Sequence, residues 1–273
     1  MPNEPDAWRD EPRSTHRSGP SRPARRRRFG ATAALIAAIV GSLGLVVALA
    51  GLAIQLLPRH FSAAQRQQIM AWEVSKRWRT LPAGEIFPAQ VSYQLPAMAL
   101  QDVTNVPLQT VRVGIAPQTS CDGAADPGAA RLLDANGCQA VLRATYTDES
   151  ATYVITVGVA VLSGARQASV AAAAIHAAGG TVQPGVTSAP FAGTPAGSFG
   201  NGQRQVTGSQ AAGPYVVMYA AGYADGRPQV DIGKEDSYAQ SEMTAAAQGV
   251  QASVIRTLAT PPPTPHCPGT PGC

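Results

Sequence analysis

Four cysteines are the residues whose type and spacing point most directly to a specific chemistry. Cys121, Cys138, Cys267 and Cys273 all follow a long apolar run, and no cysteine lies within or before that run. An even number of cysteines beyond such a run is typical of disulfides in an exported segment. Short spacing favours Cys121–Cys138 and Cys267–Cys273 among the three connectivities that four cysteines allow. A zinc site is disfavoured, because neither pair has C-x-x-C spacing and no paired histidines lie nearby.

Catalytic motifs are missing from the sequence. AGSFGNG at 196–202 resembles the G-x-S-x-G nucleophile motif only in passing. His60, His176 and His266 have no patterned serine or cysteine partner, and His176 is better explained by the C-terminal end of a helix. There is no P-loop, dinucleotide fingerprint or H-E-x-x-H. We therefore expect no catalytic residue, no cofactor and no metal.

A stripe of small residues within the apolar run could contact another helix. Its members alternate spacings of four and three, and they are Gly30, Ala34, Ala37, Gly41, Gly44, Ala48 and Gly51. In a helix this spacing forms one transmembrane packing seam, where small side chains allow close approach in lipid. We expect the seam to bind a second copy of the chain or another membrane protein. Alternatively, a run this rich in glycine, alanine and serine shows such a stripe by chance.

The run itself, residues 29–57, contains no charged residue, histidine or proline. As a helix it would be about 43 Å long, enough to cross a hydrocarbon core of about 30 Å with some tilt. A buried core helix is disfavoured by this length. Cleavage after Ala48-Leu49-Ala50 would leave a new N-terminus that is still apolar. We therefore predict a single-pass signal anchor at 29–57.

Charge is distributed unevenly and predicts the topology. Residues 1–28 carry eight arginines and four acidic residues, which accounts for the entire net charge of +4. The positive-inside rule then predicts a cytoplasmic N-terminus and an extracellular C-terminal domain at the cell membrane. Residues 58–273 are neutral overall, so no nucleic-acid partner is expected. The tail at 1–28 is predicted to be disordered, with its arginines at the headgroups of the lipid bilayer.

The region after the span is predicted to form a juxtamembrane amphipathic helix at 58–82, an α+β domain at 83–259 and a Pro-rich tail at 260–273. Ser62–Gln65 matches a capping box at the start of the helix. Trp72 and Trp78 are expected either at the membrane interface or packed on the domain.

Strand patterns dominate the predicted domain. A turn at Thr147–Ala151 joins two strands, and the second is apolar on both faces, which is typical of a central strand. A second hairpin is predicted at 214–230, with Asp225-Gly226 in its turn. The order of elements favours an antiparallel sheet with helices packed mainly on one face. Residues 181–213 are predicted to be a long loop or short edge strands, either a binding surface that includes Arg204 or a plain linker.

Two segments carry a family resemblance. GCQAVLRATYTDESATYVITVGVAVL at 137–162 and YAAGYADGRP at 219–228, with the Arg-rich tail and single span, resemble alanine-rich single-span membrane proteins of unknown function in high-GC actinobacteria. The resemblance implies no activity, and no functional residue carries over from it.

These patterns favour a non-enzymatic, membrane-tethered extracytoplasmic module that acts in interactions, or as an accessory, in the cell envelope. One alternative is a ligand-sensing ectodomain whose short arginine tail is the cytoplasmic output. Another is a cell-envelope hydrolase whose site has no recognisable motif.

Overall fold

The computed structural model describes residues 27–56, 62–95, 108–179, 182–230 and 237–261. The predicted Cys267–Cys273 pair lies outside these residues, as do most of the arginine tail and nearly all of the Pro-rich tail. The chain divides into two compact units, Met1–His60 and Phe61–Cys273.

The first unit contains one long helix, α1 (Arg27–Leu56). Its segment Ala34–Leu52 is long and apolar enough to cross a membrane, and none of that segment is buried. Large side chains such as Leu43, Val47 and Leu49 are more than half exposed along it. A surface of this kind is costly in water and matches a hydrocarbon solvent.

The second unit is an α+β unit built on one curled sheet of six strands, all paired antiparallel. Its helices are α2 (Ala63–Thr80), α3 (Ala83–Ile86), α4 (Cys121–Ala124), α5 (Pro127–Ala135), α6 (Ala165–Ala177) and α7 (Ser237–Ala259). Its strands are β1 (Gln90–Tyr93), β2 (Leu108–Thr119), β3 (Ala140–Asp148), β4 (Tyr153–Val161), β5 (Arg204–Ala212) and β6 (Tyr215–Tyr223). The strand order is β1-β2-β3-β4-β6-β5, which confirms the predicted antiparallel α+β class.

Local sequence signals explain several element boundaries. The capping box before α2 is confirmed: Ser62 Oγ accepts from the backbone N–H of Gln65 at 3.2 Å, and Gln65 Oε1 accepts from the N–H of Ser62 at 2.9 Å. α5 starts at Pro127, whose fixed φ suits the first helical position. Gly137 follows α5 with a φ of +73°, a conformation that favours glycine.

Helices cover both faces of the sheet, so the prediction of helices mainly on one face is wrong. Alternate residues of β4, such as Val157 and Val159, share a core with α2, α3 and α7. Ala160, which points the other way, packs with α4, α5 and α6. The physical reason is that β4 is buried along its whole length, and a strand that is apolar on both faces needs a cover on each.

The predicted hairpin at 214–230 is also wrong. β6 turns back on β5 through Gly213-Pro214, with Ala212 opposite Tyr215. Residues 227–230, the described part of the segment after Asp225-Gly226, form no strand. Their backbone hydrogen-bonds to the side chain of Gln205 instead. Gln205 Nε2 donates to the carbonyl of Pro228 at 3.0 Å, and its Oε1 accepts from the N–H of Val230 at 3.0 Å.

A disulfide joins Cys121 in α4 to Cys138, two residues before β3, and the Cα atoms are 6.3 Å apart. The two cysteines are separated by 17 positions in the chain, and α5 lies between them. The crosslink therefore holds both ends of the α4–α5 segment against the sheet.

Replacing both cysteines, Cys121→Ala/Cys138→Ala, should lower the free energy of unfolding by about 3 kcal/mol, because the unfolded chain regains the entropy of a loop of this length. The measurement is urea denaturation of the full chain in detergent. Thiol labelling of the unreduced, denatured parent protein should leave both cysteines unmodified. An unchanged denaturation midpoint in the variant would contradict the stabilising role.

Candidate functional site

Arg204, the charged residue of the predicted binding loop, is engaged in a largely buried ion pair with Asp126, with side chains 10% and 18% exposed. Its Nη1 lies 2.8 Å from Oδ2 of Asp126, and its Nη2 lies 3.1 Å from Oδ1. The guanidinium also donates to the backbone carbonyls of Asn201 and Val186. Asp126 in turn accepts from the N–H of Gly185 at 2.9 Å. Arg204 therefore positions the chain between α5 and β5 and has little capacity left for a ligand.

The segment at 182–203 packs against the second face of the sheet. Val186, Ala189, Ala196 and Phe199 are buried in this cover. A Cβ at Gly158 of β4 would lie only 2.6 Å from Cγ2 of Val186, so glycine there makes room for the segment. The described part of 181–213 is thus a packed cover followed by the edge strand β5, neither an open loop nor a plain linker.

Two buried tyrosines lie near carboxylates at the start of β4. Tyr153 Oη donates to Oε2 of Glu242 at 3.3 Å. Burial, and then the nearby charge of Glu242, raises the pKa of Tyr93 and of Tyr153 well above the usual range for a phenol. Both hydroxyls stay protonated at neutral pH, so neither is suited to act as a general base there.

All residues of the predicted transmembrane packing seam lie within α1. A Cβ at Gly41, Gly44 or Gly51 would meet no atom within 4 Å, so each of these positions has open space beside it. Whether another helix fills that space stays a prediction.

A groove of about 610 Å³ runs along α2 in the second unit. α2 forms one wall, and the end of β4 with the start of α6 forms another. The turn at Gly213-Pro214 and the end of α7 complete the lining. Buried apolar side chains within the lining include Val74, Trp78 and Leu162. The volume lies within the range of about 300–1,000 Å³ that is typical of small-molecule sites.

The exposed part of this α2 groove is aromatic and positively charged. Trp72 is 43% exposed, and Lys76 and Arg79 are exposed beside it. The Arg79 guanidinium lies 4.3 Å from the ring centroid of Trp78. The described lining contains no Asp or Glu. The groove therefore combines an apolar interior with two cationic side chains at its exposed part.

Arg77, which lies between these two cations in sequence, has a different role. Its Nη1 donates to the carbonyl of Thr260, just after α7. Carbonyls at the end of a helix lack partners within the helix, so Arg77 satisfies one of them. It thereby connects α2 to the end of α7 and holds the groove wall in place.

The groove has no recognisable motif in the sequence, although α2 carries a signal for it. Trp72, Lys76 and Arg79 are spaced by four and three residues, which places them along one side of a helix. The sequence alone predicts Trp72 and Trp78 either at the membrane interface or packed on the domain. In the structure Trp78 is 8% exposed within the domain core, whereas Trp72 is at the groove.

Comparison of the chain with family models, curated proteins and solved structures finds no match. The fold and the groove define only a broad class of protein. Its described residues form an α+β unit with one disulfide, in the same chain as an apolar helix of membrane-spanning length. An architecture of this kind carries no activity by itself.

Arg204→Ala should destabilise the second unit by about 1.5–3 kcal/mol, because it removes the charged hydrogen-bond donor from the largely buried carboxylate of Asp126. Arg227→Ala is the matched control, since the ion pair of Arg227 with Asp225 is about half exposed on both sides. The control should leave the denaturation midpoint nearly unchanged. Urea denaturation of both full-length variants tests this, and equal effects would refute the structural role of Arg204.

Proposed function

We propose that this protein is a membrane-tethered extracytoplasmic module that mediates interactions in the cell envelope and is not an enzyme. The observation that carries the proposal is α1, whose segment Ala34–Leu52 is apolar with no part of it buried. A helix with this surface is stable where lipid surrounds it and all its backbone hydrogen bonds are internal. It serves as the single-pass anchor.

The topology follows from charge and from the disulfide. Four consecutive arginines, Arg25 to Arg28, precede the span and favour a cytoplasmic N-terminus. The Cys121–Cys138 disulfide in the second unit is suited to an oxidising compartment. Both features support an extracytoplasmic location of the α+β unit.

A role in interactions rather than catalysis is supported by how the reactive groups are used. Cys121 and Cys138 are paired, Arg204 is buried in an ion pair, and the phenols of Tyr93 and Tyr153 stay protonated. The transmembrane packing seam offers open positions at Gly41 and Gly44 for a partner helix. We propose that the seam joins the anchor to a second copy or to another membrane protein.

Cysteine labelling tests the topology. Val170, which is 52% exposed on α6, is a suitable position in the second unit, and Ser14 is one in the tail. A membrane-impermeant maleimide should label Val170→Cys in intact cells, and should label Ser14→Cys only after permeabilisation. The reverse pattern would contradict the proposed orientation, and release of the chain from the membrane fraction would contradict the anchor.

Crosslinking tests the seam. The full chain, tagged at its C-terminus, is crosslinked in intact cells, and its adducts are identified from the membrane fraction. Gly41→Leu/Gly44→Leu should reduce the adduct to background, because larger side chains keep helices apart. The space around both glycines means that the substitution does not disturb contacts within the described chain.

Ser42→Leu/Val46→Leu is the matched control, since helical spacing places both residues away from the seam. It should retain the adduct. A parent chain that yields no adduct, or equal loss in both variants, would overturn the role of the seam while leaving the anchor intact.

A further inference from the structure

The groove along α2 has the lining of a site for a ligand with an apolar part. Its volume of about 610 Å³ is large enough for a small organic molecule. Val74 and Leu162 supply a buried apolar surface, and Trp72 adds an aromatic side chain that is still 43% exposed. A purely polar ion would leave this apolar surface in contact with water.

The charge of the same groove favours a ligand with a negative group. Lys76 and Arg79 line it, and no Asp or Glu is among the described lining residues. α6 begins at the groove, where its N-cap Gly164 provides no side-chain cap. The positive end of the helix dipole therefore adds to the two cations.

We propose that the α2 groove binds an anionic phospholipid, with the acyl chain on the apolar lining and the phosphate near Lys76 and Arg79. This inference goes beyond the proposed interaction role, because it assigns a lipid ligand to the second unit. α2 begins seven positions after the last residue of α1, so an anchored chain meets phospholipid at high local concentration.

Charge complementarity favours lipid over a second occupant that the sequence offers, the Pro-rich segment at 262–273 that follows Pro261. Pro261 lines the groove, and the segment continues from it. Proline-rich segments do bind aromatic grooves, but this one contains no Asp or Glu to complement Lys76 and Arg79. An anionic phospholipid satisfies both the apolar lining and the positive charge.

Tryptophan quenching by brominated lipids tests the proposal on the full chain. The protein, with Trp8→Phe to remove the tail tryptophan, is placed in phosphatidylcholine nanodiscs that contain either brominated phosphatidylglycerol or brominated phosphatidylcholine. The anionic lipid at the same mole fraction should quench several-fold more strongly. Adding Trp72→Phe should remove most of the difference, because Trp72 is the exposed tryptophan of the groove.

Charge reversal separates the groove from general attraction to an anionic surface. Lys76→Glu/Arg79→Glu should abolish the preference for phosphatidylglycerol. Arg66→Glu/Arg131→Glu makes the same change in net charge at exposed positions outside the lining, and should preserve the preference. Circular dichroism checks that both variants are folded.

Equal quenching by the two lipids, or equal loss in both charge variants, would overturn the proposal. A chain that ends at Pro261 provides the remaining comparison. If the lipid quenches Trp72 only in this shortened chain, the proposal is wrong and the tail is the occupant of the groove.

Discussion

Burial of β4 on both faces is the constraint on which the rest of the second unit depends. All nine residues of Tyr153–Val161 are buried, and β4 lies between β3 and β6 in the sheet. A strand of this kind needs two separate layers of cover. α2, α3 and α7 supply one layer; α4, α5, α6 and the segment at 182–203 supply the other. The disulfide and the Arg204–Asp126 pair both lie in this second layer, where they secure segments that have few large apolar side chains.

The layers approach closely because small residues meet at the contacts. Ala168 and Ala171 of α6 are fully buried, and aromatic residues make up only 5% of the chain. Gly158 admits Val186, and Gly114 admits the ring of Phe191, where a Cβ would lie 2.5 Å from a ring carbon. An alanine-rich core of this kind gains less hydrophobic free energy per residue than one of leucine or phenylalanine. The disulfide therefore contributes a larger share of its stability. Loss of either partner of the Arg204–Asp126 pair is correspondingly costly.

The parts of the fold that depend on neighbouring residues could be predicted from the sequence. The capping box at Ser62 and the β3–β4 turn are local signals, and the structure confirms both. The hairpin partner of β6 was predicted wrongly, because Asp225-Gly226 is a strong turn signal. The segment after this turn hydrogen-bonds to the side chain of Gln205, which is distant in the sequence. The groove could not be predicted for the same reason, since its lining comes from five regions of the chain that meet only after folding.

The fold places acidic and basic side chains of the second unit at opposite ends of β4, which the net charge does not show. Residues 58–273 are neutral in total. Three acidic residues lie near the start of β4, namely Asp148, Glu149 and Glu242. Their charges raise the pKa of Tyr153 or of Tyr93. Lys76 and Arg79 line the groove with Val161, the last residue of β4. The eight residue-to-residue steps of β4 separate these ends by about 26 Å, well beyond the Debye length of about 8 Å at physiological salt. The acidic residues at the start of β4 are therefore too far away to screen Lys76 and Arg79, and a neutral sequence folds into a unit whose groove is lined by two cations.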